Sequence, residues 1–147
     1  MIKNAFIKAG TAIGLFLMVI VPSPVQAANH CGSGYALVEK YSAYNDVTDK
    51  LEMYAELYYS SGARRNCLVA SHAGASVGKA TYTVAAIWPA NYAVPACNSV
   101  GCDTGTYSQY AGPVYTPAGV NMSGRCVNFE AAVGANTYMV RRNVHCG

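Results

Sequence analysis

Charge is scarce in this chain: Asp, Glu, Lys and Arg together make up 12% of its 147 residues. Two of the ten basic residues, Lys3 and Lys8, lie in an N-terminal segment that reads as an export signal. That leaves eight basic against seven acidic side chains beyond it. A domain so close to neutral has no electrostatic footprint for nucleic acid or for an anionic membrane. Large apolar side chains are scarce too. After residue 27 the only isoleucine is Ile87 and the only phenylalanine is Phe129, and the leucines are Leu37, Leu51, Leu57 and Leu68. This composition argues against a thick aliphatic core. There is also no G-x-S-x-G elbow, the strained turn that exposes the nucleophile of an α/β-hydrolase.

What is abundant is valine, alanine and tyrosine, with twelve tyrosines in all. β-Branched and aromatic side chains fit a pleated, half-buried surface, so the composition favours strands. Six cysteines accompany them.

The first 27 residues have the three parts of a cleavable signal: a positive start at Lys3 and Lys8, an apolar run from Ala12 to Val21, and Val25-Gln26-Ala27 as a small-x-small cleavage site after Pro22 and Pro24. The run is about half of the roughly 20 residues a membrane span needs. Ala28-Asn29-His30 before Cys31 does not resemble a lipobox. The expected organisation is a signal over residues 1–27 and a single domain over 28–147, secreted or extracytoplasmic and without stable membrane insertion after cleavage.

An even cysteine count in a short exported domain implies a disulfide framework. Cys97 and Cys102 lie within one tight, Gly- and Asn-containing turn and are expected to pair. Six cysteines allow 15 connectivities, which sequence alone does not separate; for the remainder the reading favours Cys31–Cys67 and Cys126–Cys146. Closing a loop of 15–20 residues adds about 3 kcal/mol in the chain-entropy model. Against a total of about 5–15 kcal/mol, such staples offset a thin core.

Seven short strands are expected: Tyr35–Tyr41, Leu51–Tyr59, Asn66–Ser71, Ala80–Trp88, Val114–Thr116, Arg125–Val133 and Asn136–Asn143. Over Leu51–Tyr59 a helix competes, because Leu, Glu, Met and Ala are good helix formers. The period-2 alternation of Leu51, Met53, Ala55, Leu57 and Tyr59 favours a strand. Pro89–Thr106, with its prolines and cysteines, reads as one long loop. Short strands with regular turn signals predict an all-β fold, a small disulfide-stapled sandwich or barrel.

Several segments also carry a resemblance. Tyr107-Ser-Gln-Tyr110-Ala-Gly-Pro-Val-Tyr115, Cys126-Val127 and the closing His145-Cys146-Gly147 resemble the spore-associated protein A family of small secreted bacterial proteins. Cys31-Gly-Ser-Gly-Tyr35 and Asn66-Cys67-Leu-Val69 agree with it in the N-terminal half. The chain departs from that family's four-cysteine pattern at Cys97 and Cys102, and it has Asn128-Phe129-Glu130 where a tryptophan and glycines are expected. The resemblance implies an exported cell- or spore-surface protein with no catalytic residues to carry over.

Candidate chemistry is thin. Ser71 and His72 are strand neighbours and point to opposite faces, so they do not form a nucleophile–base pair. Gly74-Ala-Ser-Val-Gly78-Lys79-Ala80 is one residue short of a phosphate loop and has Ala80 where Mg²⁺ needs Ser or Thr. His30-Cys31 and His145-Cys146 could form a zinc set only with reduced cysteines, so no metal and no cofactor is expected. Glu39, Glu52, Glu56, Asp103 and Glu130 are the acids from which a glycosidase pair would have to come. On one strand, Glu52 and Glu56 would be roughly 13 Å apart, too far for that chemistry. The tyrosines are more suggestive: Tyr54, Tyr58, Tyr107, Tyr110 and Tyr115 are the candidate binding surface, for a protein or polysaccharide. The leading expectation is a non-enzymatic surface- or spore-associated binding domain. The alternatives are a protease inhibitor acting through the Cys97–Cys102 loop and a small secreted hydrolase.

Overall fold

The alternation over Leu51–Ser60 is a strand, not a helix. In the computed structural model, which describes residues 29–147, it lies second among eight strands; the expected signal over residues 1–27 falls outside the described residues. They are β1 (Ala36–Tyr44), β2 (Leu51–Ser60), β3 (Arg65–His72), β4 (Thr81–Pro89), β5 (Cys102–Tyr107), β6 (Tyr110–Tyr115), β7 (Val127–Val133) and β8 (Thr137–Val144). Two antiparallel four-stranded sheets result, in the orders β1-β2-β3-β6 and β5-β4-β7-β8. The fold is all-β and sandwich-like, not a closed barrel. Among the described residues no helix is long and apolar enough to cross a membrane.

Alternation explains the core. Met53, Ala55 and Leu57 on β2 and Leu68 and Ala70 on β3 face Ala85 and Ile87 on β4 and Phe129, Ala131 and Val133 on β7. Small side chains fill much of this layer, so the few large ones matter, and Phe129 is the largest that is fully buried. Tyr41 lies against it with ring centroids 5.2 Å apart. Burial, helped by its hydrogen bond to Glu39, pushes the Tyr41 hydroxyl up to about 12.

Each sheet also has a small apolar cluster on its outer face, and each is associated with a disulfide. On the first sheet, Tyr58, Cys67 and Val69 pack with Cys31, which the Cys31–Cys67 bond holds there. On the second, Ala86, Trp88 and Cys102 pack together beside the turn closed by Cys97–Cys102. The third bond, Cys126–Cys146, joins the entry to β7 to the exit from β8. The staples therefore extend burial beyond the inter-sheet layer.

Two expectations need correction. Pro89–Thr106 is not all loop, because Cys102–Tyr107 forms β5 and makes the strand count eight. The strand expected over Val114–Thr116 begins earlier, at Tyr110. Pro113 lies inside it, which an edge strand tolerates because one side of its backbone needs no ladder partner.

Candidate functional site

Register places four of the five candidate tyrosines on one face. β2, β3 and β6 align Tyr54, Ser71 and Tyr110 in one cross-strand row, and Tyr58, Cys67 and Tyr115 in another. Between the rows Glu56 accepts hydrogen bonds from Ser71 at 3.1 Å and pairs with Lys40 at 3.0 Å. Lys40 also sits 3.8 Å from the centre of the Tyr54 ring.

The second row is packing, not open surface. Tyr58 is 6% exposed, and burial pushes its hydroxyl up, with Glu56 adding to the effect. Tyr115 donates to the Cys31 carbonyl at 3.2 Å and meets Tyr35 edge-on at 5.6 Å. Both rings hold the segment that Cys31–Cys67 ties down. Tyr54, Tyr110 and Tyr115 are all half-buried, the last two packed against the Cys31–Tyr58–Cys67–Val69 cluster.

Tyr107 belongs to the other sheet, yet it meets Tyr110 across a two-residue turn, Ser108–Gln109, where the chain passes from β5 to β6. An open cleft of about 390 Å³ lies there, lined by Asp103, Tyr107, Ser108, Gln109, Tyr110 and Gly112. Asp103 organises it. Its Oδ1 accepts the Tyr107 hydroxyl at 2.8 Å, and its Oδ2 accepts the Gly112 amide at 2.6 Å. The first of these bonds holds the Tyr107 proton in place and pushes that hydroxyl up. His30 backs the Tyr110 ring at a centroid distance of 4.1 Å.

Two glycines make this geometry feasible. The Tyr107 ring lies where a Cβ on Gly105 would be, 2.8 Å from the nearest ring atom. Gly112 has φ +94°, and a Cβ there would be 2.8 Å from the Leu68 carbonyl oxygen. Only glycine lets the backbone approach so closely.

Other candidates have structural partners. His72 is buried, with Nδ1 3.0 Å from the Ser76 carbonyl and Nε2 2.8 Å from the Thr83 hydroxyl, while Ser71 turns the other way to Glu56. Glu52 accepts from Thr137 at 2.7 Å and from Asn45 at 3.1 Å, and these bonds hold its carboxyl below the usual value. Glu52 and Glu56 therefore have separate partner sets. His145 lies against Tyr59, far in sequence from His30 on Tyr110. Among the described residues no group of three or more His, Cys, Asp or Glu is placed to hold a metal ion.

Sequence reasoning overlooked the most exposed tyrosines, Tyr138 and Tyr82 on the second sheet, Tyr44 at the end of β1, and Tyr92 beside Pro89. It also treated Asp103 only as a glycosidase acid, although Asp103, Tyr107 and Tyr110 are close in sequence. A second cleft of about 250 Å³ lies under the stapled turn between Trp88, Tyr92, Pro95 and Val100. No family model matches this chain, and no curated protein or solved structure matches it either.

Proposed function

We propose that this is a non-enzymatic extracytoplasmic domain that binds a component of a cell or spore surface through the Asp103–Tyr107–Tyr110 cleft. The observation that carries the reading is the convergence of the Tyr107 hydroxyl and the Gly112 amide, from different sheets, on the Asp103 carboxylate in an open cleft that Tyr110 also lines. The cleft is open and lined as much by polar as by apolar surface, which suits a polar ligand at a surface better than an apolar one. Three disulfides with no free cysteine among the described residues support residence in an oxidising compartment. A surface role is also what a resemblance to the spore-associated protein A family would imply, and the cleft includes much of the Tyr107–Tyr115 segment. The cleft lining holds one carboxylate, whereas glycoside hydrolysis uses two. The test is co-sedimentation of the oxidised domain with purified cell envelopes or spore coats of the producing organism. Saturable binding lost in Asp103→Asn is expected. Turnover of a peptide or glycan panel, abolished by one point substitution, would contradict the reading.

One observation favours a second reading, a secreted antagonist of another protein. Val100 is exposed within the turn closed by Cys97–Cys102, Tyr92 and Val94 are exposed on the stretch leading into it, and backbone bonds from Ile87 to Gly101 and from Tyr115 to Val100 fix the turn in place. A preordered apolar loop loses little entropy on docking. Inhibition of a secreted protease that survives Val94→Asp and Val100→Asp would sink this alternative.

A further inference from the structure

The Asp103 carboxylate has acceptor capacity to spare. Each oxygen takes one donor from the protein, Tyr107 or Gly112, and an ionised carboxylate offers about four lone-pair sites in all. Neither ion pair found among the described residues involves Asp103. Two acceptor sites, one per oxygen, are thus left to meet two donors on a ligand.

The turn beside it is fixed by its backbone. The Ser108 carbonyl accepts the Gly78 amide at 2.9 Å and the Gln109 carbonyl accepts the His72 amide at 2.6 Å. Ser108 and Gln109 both line the cleft. Tyr110 supplies an aromatic residue to the lining, its ring held against His30. An aromatic residue, a carboxylate, a hydroxyl and an amide together suit a molecule with one apolar C–H face and a rim of hydroxyls. The cleft volume lies within the range of about 300–1,000 Å³ typical of small-ligand sites.

We propose that this cleft is a subsite for a neutral, hydroxyl-rich glycan, with one sugar ring against Tyr110 and two neighbouring hydroxyls donating to Asp103. The proposal rests on the surface-binding reading and names its ligand. Acidic sugars and phosphate-bearing polymers are disfavoured, because they bring a second negative charge to a carboxylate that no cation offsets. An ammonium group would also be drawn to a carboxylate beside aromatic rings, so it serves as the competing ligand in the test.

The test is amide NMR of the isotope-labelled, oxidised protein. Neutral oligosaccharides of glucose, galactose, mannose and N-acetylglucosamine are titrated in, with choline and a lysine peptide as competitors. At least one oligosaccharide is expected to move the amides of residues 105–112 saturably, and Asp103→Asn to weaken it by about tenfold or more. Gln109→Ala, which leaves the backbone anchors of the turn intact, should weaken binding while the rest of the spectrum stays unchanged. No response to any oligosaccharide, a response mapped elsewhere, a response to ammonium compounds alone, or wild-type affinity in both variants overturns the assignment. If surface material still binds in an Asp103-dependent way while every glycan fails, the glycan assignment falls and the surface-binding reading stands. If surface material does not bind either, both fall.

Discussion

Removing the Cys31–Cys67 bond should cost more than removing either of the others, for two reasons. It closes the longest loop, 36 residues, against 20 for Cys126–Cys146 and 5 for Cys97–Cys102. The chain-entropy relation then gives about 3.8, 3.3 and 2.1 kcal/mol respectively at 25 °C. Cys67 is also fully buried and Cys31 nearly so, within the outer cluster that includes Tyr58 and Val69. Cys31→Ala/Cys67→Ala therefore adds lost packing to lost constraint, and should exceed Cys97→Ala/Cys102→Ala by about 1.7 kcal/mol from loop length alone. Urea unfolding of the three double variants measures this. With a slope of about 1–3 kcal/mol/M, the midpoints of those two variants should differ by roughly 1 M. The first variant should also uncover Tyr115, whose hydroxyl bonds the Cys31 carbonyl, and this is visible as increased tyrosine accessibility. Equal losses, or a larger loss from the short loop, would refute the view that this bond holds a structural segment in place.

Four further outcomes follow from the geometry. Glu52→Gln should cost about 1–2 kcal/mol near neutral pH, through weakened bonds to Thr137 and Asn45. Because the Glu52 carboxyl is held below its ordinary 4.5, that stability is present above the unfolded value and lost as pH falls through the folded one, so the deficit in urea unfolding should shrink in acid. Tyr41 should stay un-ionised past pH 10 and titrate near 12, a contribution present below its ordinary value and lost as pH rises through the folded one; absorbance of tyrosinate in wild type and Tyr41→Phe reads this directly. Phe129→Ala should cost about 3–5 kcal/mol in urea unfolding, since it empties the largest fully buried position of a core otherwise rich in small residues. Gly105→Ala should displace the Tyr107 ring, lower the tyrosine titration midpoint at that site and weaken surface binding; unchanged binding would separate Tyr107 from the site.

Much of the fold was legible because alternation survives in most strands. β2 shows it over its whole length, and this decided strand over helix despite the helix-forming residues. β5 was hidden because its inward side reads Asp103, Gly105, Tyr107. Gly105 leaves a gap in the apolar pattern, and the gap is filled by the ring of Tyr107 two residues on. The start of β6 was hidden by Gly112 and Pro113, residue types that interrupt a strand pattern. The cysteine pairs Cys31–Cys67, Cys97–Cys102 and Cys126–Cys146 agree with the expectation, although only the short one followed from local geometry.

The binding surface was less legible. Tyr54 and Tyr58 could be assigned to one face of β2 from their spacing, but Tyr110 and Tyr115 joined them only through the register of β3 with β6. Nothing local tells that a disulfide folds residues 31–35 over that face. The same ambiguity concealed Tyr82. It shares a strand side with Val84, Ala86 and Trp88, while Thr83, Ala85 and Ile87 form the other, so neither side is marked as the outer one by polarity. The cleft needed the third dimension, because Asp103 and Tyr107 come from one sheet and Tyr110 and Gly112 from the other.

The central claim is that the Asp103 cleft is where this domain meets its surface. Co-sedimentation of wild-type, Asp103→Asn and Tyr110→Ala proteins with surface material tests it most directly, with unfolding curves confirming that all three are folded. The account predicts saturable binding by wild type, and binding weakened by about tenfold or more in both variants. Equal binding by all three folded proteins would contradict it.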